Sequence, residues 1–369
     1  MSVSERVHTT GTVTAATLDL SPAAVTRARA RRAWVLVTLV ILLFGAVLLS
    51  ATLGQYSLSP TEIISSIGRR LGLSPTHPGD VSADGALWNV RFPRILLGLT
   101  VGAALGVAGT LMQGVFANPL AEPAVVGVSA GAAVGACAAI VFGLQSLGAA
   151  SVPAAAFVMG VITTLLVYVL ARAQGRTRVL MLVLTGIAVN AIAGALIAGL
   201  VFVASTASRE QIMFWQLGSL NGATWSAVSV TLPLLAVGVI GAVVLARSLD
   251  VLALGDRSAR HLGVSVERVR LIAILLVALL TATAVSFAGI IAFVGLIVPH
   301  LLRLLIGPAH ATLLPASALG GALLIAVADL VARTAIPFAD LPIGMFTALI
   351  GGPVFFVLLR RTVATGERT

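Results

Sequence analysis

The side chains with the greatest capacity for chemistry are a few arginines and acids set among long apolar runs. Arg91 and Arg94 flank a Phe-Pro pair at the start of a charge-free run. Arg333 follows Asp329 by four residues, the spacing of a same-face pair on a helix. Because a guanidinium is a planar fork that fits a carboxylate, these arginines can bind acids of this chain or of a partner. For Asp329, the one acid well inside an apolar run, we expect a structural ion pair with Arg333, with a proton relay as the alternative.

The sequence lacks the motifs of an enzyme. It has no GxxxxGK[ST] phosphate loop and no HExxH zinc motif. His300 and His310 flank the end of one apolar run, and we interpret them as ordinary interfacial histidines, with a metal pair as the alternative. The single cysteine, Cys137, excludes an internal disulfide and a cysteine-based metal site. We therefore predict no catalytic residues, no nucleotide hydrolysis by this chain, no metal site and no cofactor.

The composition indicates a membrane protein. Apolar residues make up 59% of the chain and charged residues 10%, with a mean hydropathy of +1.08. A soluble domain carries about a quarter charged residues, so this chain cannot cover its own surface with water-facing groups. A net charge of +10 would suggest nucleic acid in a soluble protein. Here the arginines lie mostly between apolar runs, so membrane topology explains them, and the expected environment is the lipid bilayer without a nucleic-acid partner.

The predicted fold is an all-α, polytopic membrane protein with about ten transmembrane helices. A spanning helix needs roughly 20 mostly apolar residues. The run from Leu271 to Leu302 is too long for one upright helix, and Gly289 and Pro299 are the candidate breaks. The predicted spans are Trp34–Leu53, Ile95–Val115, Ala124–Gly143, Val152–Ala171, Val179–Val203, Ala227–Ala246, Leu271–Ala288, Gly289–Ile306, Thr312–Val331 and Ile343–Leu359.

The distribution of arginine predicts the orientation. Arginine is concentrated on the side that holds the N-terminus, which the positive-inside rule assigns to the cytoplasm. An even number of spans then places both termini inside. Residues 1–33 are polar and are predicted to form a disordered cytoplasmic tail, with a cleaved signal peptide as the alternative. Residues 34–361 form the predicted transmembrane domain, and residues 362–369 form a second cytoplasmic tail.

Outside the membrane, one segment has the pattern of a short surface helix. Ser59, Pro60 and Glu62 occupy the N-cap, first and third positions of a capping box. An apolar stripe follows at Ile63, Ile64, Ile67 and Leu71. This helix is either a connector or a binding element.

Inside, residues 254–265 predict a second short helix. Asp256 can cap its start and Gly263 can end it. A compact, charged helix between two spans suggests a surface against which another protein docks, and a solvated loop is the alternative.

Beyond these physical patterns, residues 91–132 closely resemble the FecCD-type permeases of bacterial ABC importers for iron-siderophores, haem and cobalamin. Three later blocks match in the same order and extend the resemblance over most of residues 91–361. Those blocks read LGDRSARHLGV, AGIIAFVGLIVPHLLRLLIG and ADLVARTAIPFADLPIGMFTALIGGPVFFVLLRR.

The resemblance implies roles for residues at both ends of the molecule. Arg91, Arg94 and Arg333 match arginines that family members present to acidic residues of a substrate-binding protein. For Arg333 this docking role competes with the Asp329 pair, and both can hold. The family's coupling helix, which sits in a groove of the cytoplasmic ATPase, matches Asp256, Arg257, Ser258, Ala259, Arg260, His261, Leu262 and Gly263.

The resemblance also implies how the transporter is assembled and what it transports. The expected partners are two ATP-binding subunits, an extracytoplasmic binding protein and a second permease subunit, identical or not, in the bacterial cytoplasmic membrane. Helices rich in small residues pack too closely to pass a chelate, so the pathway is expected between two subunits. The expected cargo is a ferric siderophore, with haem or cobalamin as alternatives. An ion-driven secondary transporter and an intramembrane enzyme are the competing classes. Candidate pathway residues are Gly102, Gln113, Asn118 and Asn190.

Overall fold

The structure, a computed structural model, describes residues 22–73, 80–173, 176–337 and 339–366. These residues are almost entirely helical, with one short antiparallel pair of strands, β1 (Arg172–Ala173) and β2 (Arg176–Thr177). The helices are α1 (Pro22–Thr52), α2 (Pro60–Arg70), α3 (Asp80–Gly85), α4 (Phe92–Phe116), α5 (Val128–Val141), α6 (Ser151–Leu170), α7 (Val179–Val203), α8 (Thr206–Leu217), α9 (Trp225–Leu252), α10 (Asp256–His261), α11 (Val266–Ala288), α12 (Val294–Ile306), α13 (His310–Thr334) and α14 (Ile343–Gly366).

The predicted all-α architecture with about ten spans is confirmed. Among the described residues, eight helical segments are long and apolar enough to cross a bilayer. Two shorter apolar helices, α5 and α12, complete the set of ten. A π-helical turn, Ala86–Arg91, joins α3 to α4 and makes the second span continuous.

Two predicted spans are shorter than expected because each begins with non-helical backbone. The break expected near Gly289 is present, and Gly289 adopts the positive φ of +68° that suits glycine. The next helix begins at Val294 rather than at Gly289, and Pro299 lies inside that helix instead of breaking it. The span predicted from Ala124 likewise opens with a 3-10 turn, and its regular helix starts at Val128.

The predicted tails are also corrected at both ends of the domain. Helix α1 begins at Pro22, so residues 22–33 are helical rather than disordered. Alanine and arginine dominate that stretch and are good helix formers. Helix α14 continues to Gly366, so most of the predicted C-terminal tail is helical too. Residues 1–21 and 367–369 lie outside the described part of the chain.

Helix α4 is the most deeply buried span and forms the centre of the bundle. Its glycines allow backbone-to-backbone contact with its neighbours. A Cβ added at Gly102 would lie 2.2 Å from the carbonyl oxygen of Gly321 on α13. A Cβ at Gly109 would lie 1.8 Å from the carbonyl oxygen of Gly295 on α12. Close approach of this kind replaces the hydrophobic driving force that helices lack inside lipid.

Polar contacts mark the two ends of the bundle. At one end the Arg32 side chain donates to the carbonyl of Ile306, over 3.1 Å. At the other end Arg94 contacts Asp329. The start of α1 therefore lies at the same end as the close of α12. The arginine bias makes this the cytoplasmic end, called the inner end below, and the Arg94 side is the outer end.

Candidate functional site

The outer end carries a buried cluster of arginines and acids, defined here as Arg91, Arg94, Arg333, Asp329 and Asp340. Arg94, in the first turn of α4, binds two acids at once. Its Nε lies 2.9 Å from Asp329 Oδ1, and its Nη1 lies 3.0 Å from Asp340 Oδ2. The expected pair on α13 is also present, with Arg333 Nε 3.5 Å from Asp329 Oδ2. Asp329 therefore bridges α4 and α13.

Arg91 and Arg333 also donate hydrogen bonds to main-chain carbonyls at and just after the end of α1. Arg333 donates to the carbonyls of Ser50 and Leu53, the latter over 2.8 Å, and to the Ser50 hydroxyl over 2.6 Å. Arg91 donates to the carbonyls of Ala51, Thr52 and Tyr56, with 3.1 Å to Thr52. The last carbonyls of a helix have no partner within the helix and carry partial negative charge. Two guanidinium groups thus cap the C-terminus of α1.

The structure brings the three predicted docking arginines together but buries them. Arg91 is 6% exposed, and Arg94 and Arg333 are similarly covered. Most of the hydrogen bonds of Arg91 and Arg94 are made to groups of this chain, so their docking role stays a prediction. The outer arginine cluster still lines a cavity of about 310 Å³, together with Gln55, Tyr56 and Asn221. Three guanidinium groups face two carboxylates, so one positive charge is in excess.

Sequence reasoning missed Asp340 and the α1 carbonyls as members of this cluster. Asp340 follows Asp329 by eleven residues, across the turn between α13 and α14. Its position before a Leu-Pro step, at the same predicted end as Arg94, was the available signal. No sequence pattern predicts that an arginine side chain will contact the main-chain carbonyls of a distant helix.

At the inner end, α10 is the predicted docking helix, and the structure forms it as a rigid element. Gly255 occupies the N-cap, so the expectation that Asp256 caps the helix through its side chain is wrong. Asp256 instead makes a two-pronged contact with Arg270 on α11, at 2.8 and 3.0 Å. The predicted stop at Gly263 is confirmed: Gly263 has φ +81°, and its amide donates to the carbonyl of Arg260.

A second layer of contacts holds α10 in place. Arg270 also donates to the carbonyl of Thr177 in β2, over 3.3 Å. Glu267 accepts from the Thr177 amide and, over 2.7 Å, from its hydroxyl. The β-hairpin between α6 and α7 thus braces the start of α11. Arg270 is buried and contacts both Asp256 and Thr177, so it ties α10 and the hairpin to α11.

The outward face of α10 is open and mixed in character. Ala259 is fully buried beneath the helix. Leu262 is 64% exposed and Leu254 is 65% exposed, although both are large apolar side chains at the aqueous end of the bundle. The exposed polar side chains of this face are Arg257, Ser258, Arg260 and His261. Apolar groups flanking basic ones, on a braced helix, form a surface suited to a protein partner.

A half-buried acid, Glu122, links the irregular segments that precede α5 and α12. Glu122, in the turn after α4, accepts a hydrogen bond of 2.9 Å from the amide of Phe293, which has a positive φ of 68°. Irregular backbone at membrane depth persists only where its polar groups find partners. The sequence analysis did not predict this link.

The four predicted pathway residues lie in different environments. Gly102 is packed against α13, as described above. Gln113 is buried, and its side-chain amide donates to the carbonyl of Leu296 over 3.1 Å. Both are packed within this subunit, and their pathway role stays a prediction. Asn118 accepts from the Leu120 amide and shapes the turn after α4. Asn118 and Asn190, the latter on α7, are both exposed.

The two histidines at the inner end do not share a site. His310 Nδ1 lies 2.6 Å from Asp250 Oδ1, and the same oxygen accepts from the His310 amide. His300 lies on α12. Within the described residues there is no group of three or more His, Cys, Asp or Glu side chains that could hold a metal ion.

Comparison with known proteins agrees with this architecture. The profile of the FecCD transport family matches residues 39–361. The cobalamin import system permease protein BtuC of Halobacterium salinarum is 39% identical, covering 87% of this chain and 94% of its own. The hemin transport system permease protein HmuU of Yersinia pestis is 39% identical, covering 89% and 94%. The Fe(3+) dicitrate transport system permease protein FecD of Escherichia coli is 42% identical, covering 74% and 85%.

A solved structure has the same fold. It is described as an inward-facing conformation of a metal-chelate type ABC transporter, and it matches with a TM-score of 0.77 and 33% identity. The match covers 88% of this chain and 98% of that one. Because the family profile spans most of the chain and these relatives align over most of their lengths, the chain belongs to the FecCD transport family.

Proposed function

We propose that this permease imports a ferric siderophore across the bacterial cytoplasmic membrane. In this proposal it works with two cytoplasmic ATP-binding subunits, an extracytoplasmic binding protein and a second permease subunit. The observation that carries the proposal is α10, a braced helix with an exposed basic and apolar face. A phosphate loop is missing from the sequence, so the energy of nucleotide hydrolysis must reach this chain through such a contact.

The bracing of α10 is what suits it to this task. A loop without anchoring contacts would deform when a partner moves against it and would not transmit the movement. Helix α10, in contrast, is held to α11 by the Asp256–Arg270 contact. Helix α11 runs through the bundle and packs against the central α4. Movement of an ATP-binding subunit against α10 is therefore passed to the core of the permease.

At the outer end, the proposal assigns docking of the binding protein to the surface above the outer arginine cluster. The excess positive charge beneath the cavity favours an incoming carboxylate. Asp340 is the least buried member, with a side chain 29% exposed. A carboxylate from the partner can therefore approach Arg94 from the side on which Asp340 lies. Arg91 and Arg333 contribute mainly by fixing the end of α1.

Substitution of Arg91 and Arg94 by glutamate tests the docking assignment. The expected result is weaker binding of the cognate binding protein to the permease complex in nanodiscs, measured by surface plasmon resonance. Arg209→Glu is the matched control, because Arg209 is exposed in the predicted outer segment and contacts only the carbonyls of Val201 and Phe202. Unchanged affinity in folded Arg91 and Arg94 variants would reject their role.

The cargo is tested through the binding protein rather than through this chain. The relatives carry names that refer to cobalamin, hemin and ferric dicitrate, so the choice of a ferric siderophore rests on the range of the family. The experiment measures the affinity of the cognate binding protein for a panel of ferric siderophores, haem and cobalamin. Tightest binding of a ferric siderophore supports the proposal. Tightest binding of haem or cobalamin replaces the cargo and leaves the permease assignment intact.

A further inference from the structure

We infer that a groove on the outer surface, separate from the outer arginine cluster, binds the phosphate headgroup of an anionic phospholipid. The groove lies between α2, the π-helical turn before α4 and the start of α9. It encloses about 470 Å³ and is lined by Ser66, Arg69, Arg70, Asp84, Trp88 and Trp225, among others. The inference is independent of the cargo and of the proposed partners.

Two tryptophans form fixed walls of this headgroup groove. Trp88 Nε1 donates to the Ser66 hydroxyl over 3.0 Å. Trp225 Nε1 donates to the carbonyl of Trp88 over 2.7 Å. Each indole therefore has its polar edge satisfied and its ring held in place. Tryptophan is enriched at membrane interfaces, where one side of the ring meets headgroups and the other meets acyl chains.

The two neighbouring arginines of the groove differ in the charge they can offer. Arg69 is matched by Asp84, with Nη2 to Oδ1 at 2.6 Å and Nε to Oδ2 at 3.1 Å. Arg70 is exposed and lies over the Trp88 ring, 5.3 Å from its centre. Among the described residues, no carboxylate lies within 4.0 Å of the Arg70 guanidinium. Arg70 is thus a preorganised cation with room for a phosphate beside it.

The apolar surface next to the groove identifies the occupant as a lipid. On α2 the buried side is formed by Ile63 and Ser66. Ile64 is 70% exposed, and Leu71 and Leu73 are similarly open. A helix with an exposed apolar side, placed at the water boundary beside a cation, lies in the membrane interface. The neighbouring spans α1 and α9 bury little of their surface within this chain, so this corner of the bundle faces lipid.

In the inferred complex, the headgroup and the acyl chains of one phospholipid contact different parts of the surface. The phosphate lies against Arg70 between the two indoles. The acyl chains run past Ile64 and Leu71 along the outside of α1. A zwitterionic headgroup fits the same walls but gains less, because its own cation faces Arg70.

The test uses the full-length permease in nanodiscs that contain phosphatidylglycerol and phosphatidylcholine. Native mass spectrometry counts the lipids retained after mild delipidation, and brominated lipids report contact through tryptophan quenching. Wild type is expected to retain phosphatidylglycerol preferentially. Arg70→Gln is expected to lower that preference about five-fold, the effect of one cation near an anionic surface, and Arg70→Lys is expected to keep most of it.

Two further variants make the outcome decisive. Asp84→Asn removes the partner of Arg69 and is expected to raise the preference for phosphatidylglycerol. Arg209→Gln, at another exposed outer arginine, is expected to leave it unchanged. The inference is overturned if Arg70→Gln and Arg209→Gln behave alike. It is also overturned if Arg70→Gln weakens docking of the binding protein while lipid preference stays the same, because the groove would then serve a protein.

Discussion

At the scale of single residues, Asp329 is the acid on which the outer end depends. It is buried and touches both Arg94 and Arg333, so it offsets two positive charges inside the bundle. The proton-relay alternative requires a free carboxylate with a water path. An acid held by two guanidinium groups between α4 and α13 is instead a structural bridge.

Replacement of Asp329 by asparagine is expected to destabilise the protein by about 3–5 kcal/mol, because it leaves buried arginines without their counter-charge. Thermal unfolding in detergent, followed by fluorescence, measures the loss. Asp340→Asn is the matched control: it removes the other acid from Arg94, but its site is more exposed, so the loss is smaller. Equal stability of Asp329→Asn and wild type would contradict the bridge.

Glu122 is the second residue whose chemistry makes a prediction. Glu122→Ala leaves the Phe293 amide without an acceptor and is expected to cost about 1–3 kcal/mol. Glu122→Gln keeps an acceptor oxygen and is expected to be at least as stable as wild type at neutral pH. Unfolding temperatures of the two variants and wild type provide the measurement.

At the scale of helices, the contact between α4 and α13 depends on the absence of side chains. Gly102→Ala would place a methyl group 2.2 Å from the carbonyl oxygen of Gly321, so the two helices must separate. The expected cost is about 1–3 kcal/mol, measured by thermal unfolding. Gly194→Ala on α7 is the matched control, because a Cβ there meets nothing within 4 Å and alanine favours a helix. Similar effects of the two substitutions would contradict close packing as the reason for Gly102.

Much of the element scale could be predicted from sequence, because hydropathy and capping are local. The number of spans, the capping box at Ser59 and the stop at Gly263 all follow from residues within one or two turns. The half-length helices α5 and α12 could not be predicted. The segments that precede them are joined by the Glu122–Phe293 hydrogen bond, whose partners are far apart in sequence.

The candidate site shows the same division. The i,i+4 pair of Asp329 and Arg333 and the position of α10 are local, and sequence predicted both. The burial of Arg91 depends on the carbonyls at the end of α1, which accept its hydrogen bonds, and Arg94 is held by Asp329 and Asp340. From sequence alone, an arginine next to an outer turn is predicted to be exposed, because the distant helix that covers it is not known.

At the scale of the whole molecule, the two ends have different characters and a rigid core between them. The inner end presents a braced helix with an open face, and the outer end holds a buried, charged cluster beneath a cavity. Helix α11 carries the anchor of α10 and packs against α4, which in turn carries Arg94. A displacement at α10 therefore has a continuous path of packed helices to the outer cluster.

The central claim is that ATP hydrolysis by a partner drives transport through this chain. The most direct measurement is uptake of radiolabelled ferric siderophore into proteoliposomes that hold the permease with its cognate ATP-binding subunits, with the binding protein added outside. Uptake is expected only with ATP on the ATPase side. Leu262→Asp on the open face of α10 is expected to abolish uptake, whereas Leu147→Asp, at an even more exposed leucine in the segment after α5, is expected to retain it. Uptake driven by an ion gradient without ATP, and unaffected by Leu262→Asp, would contradict the central claim.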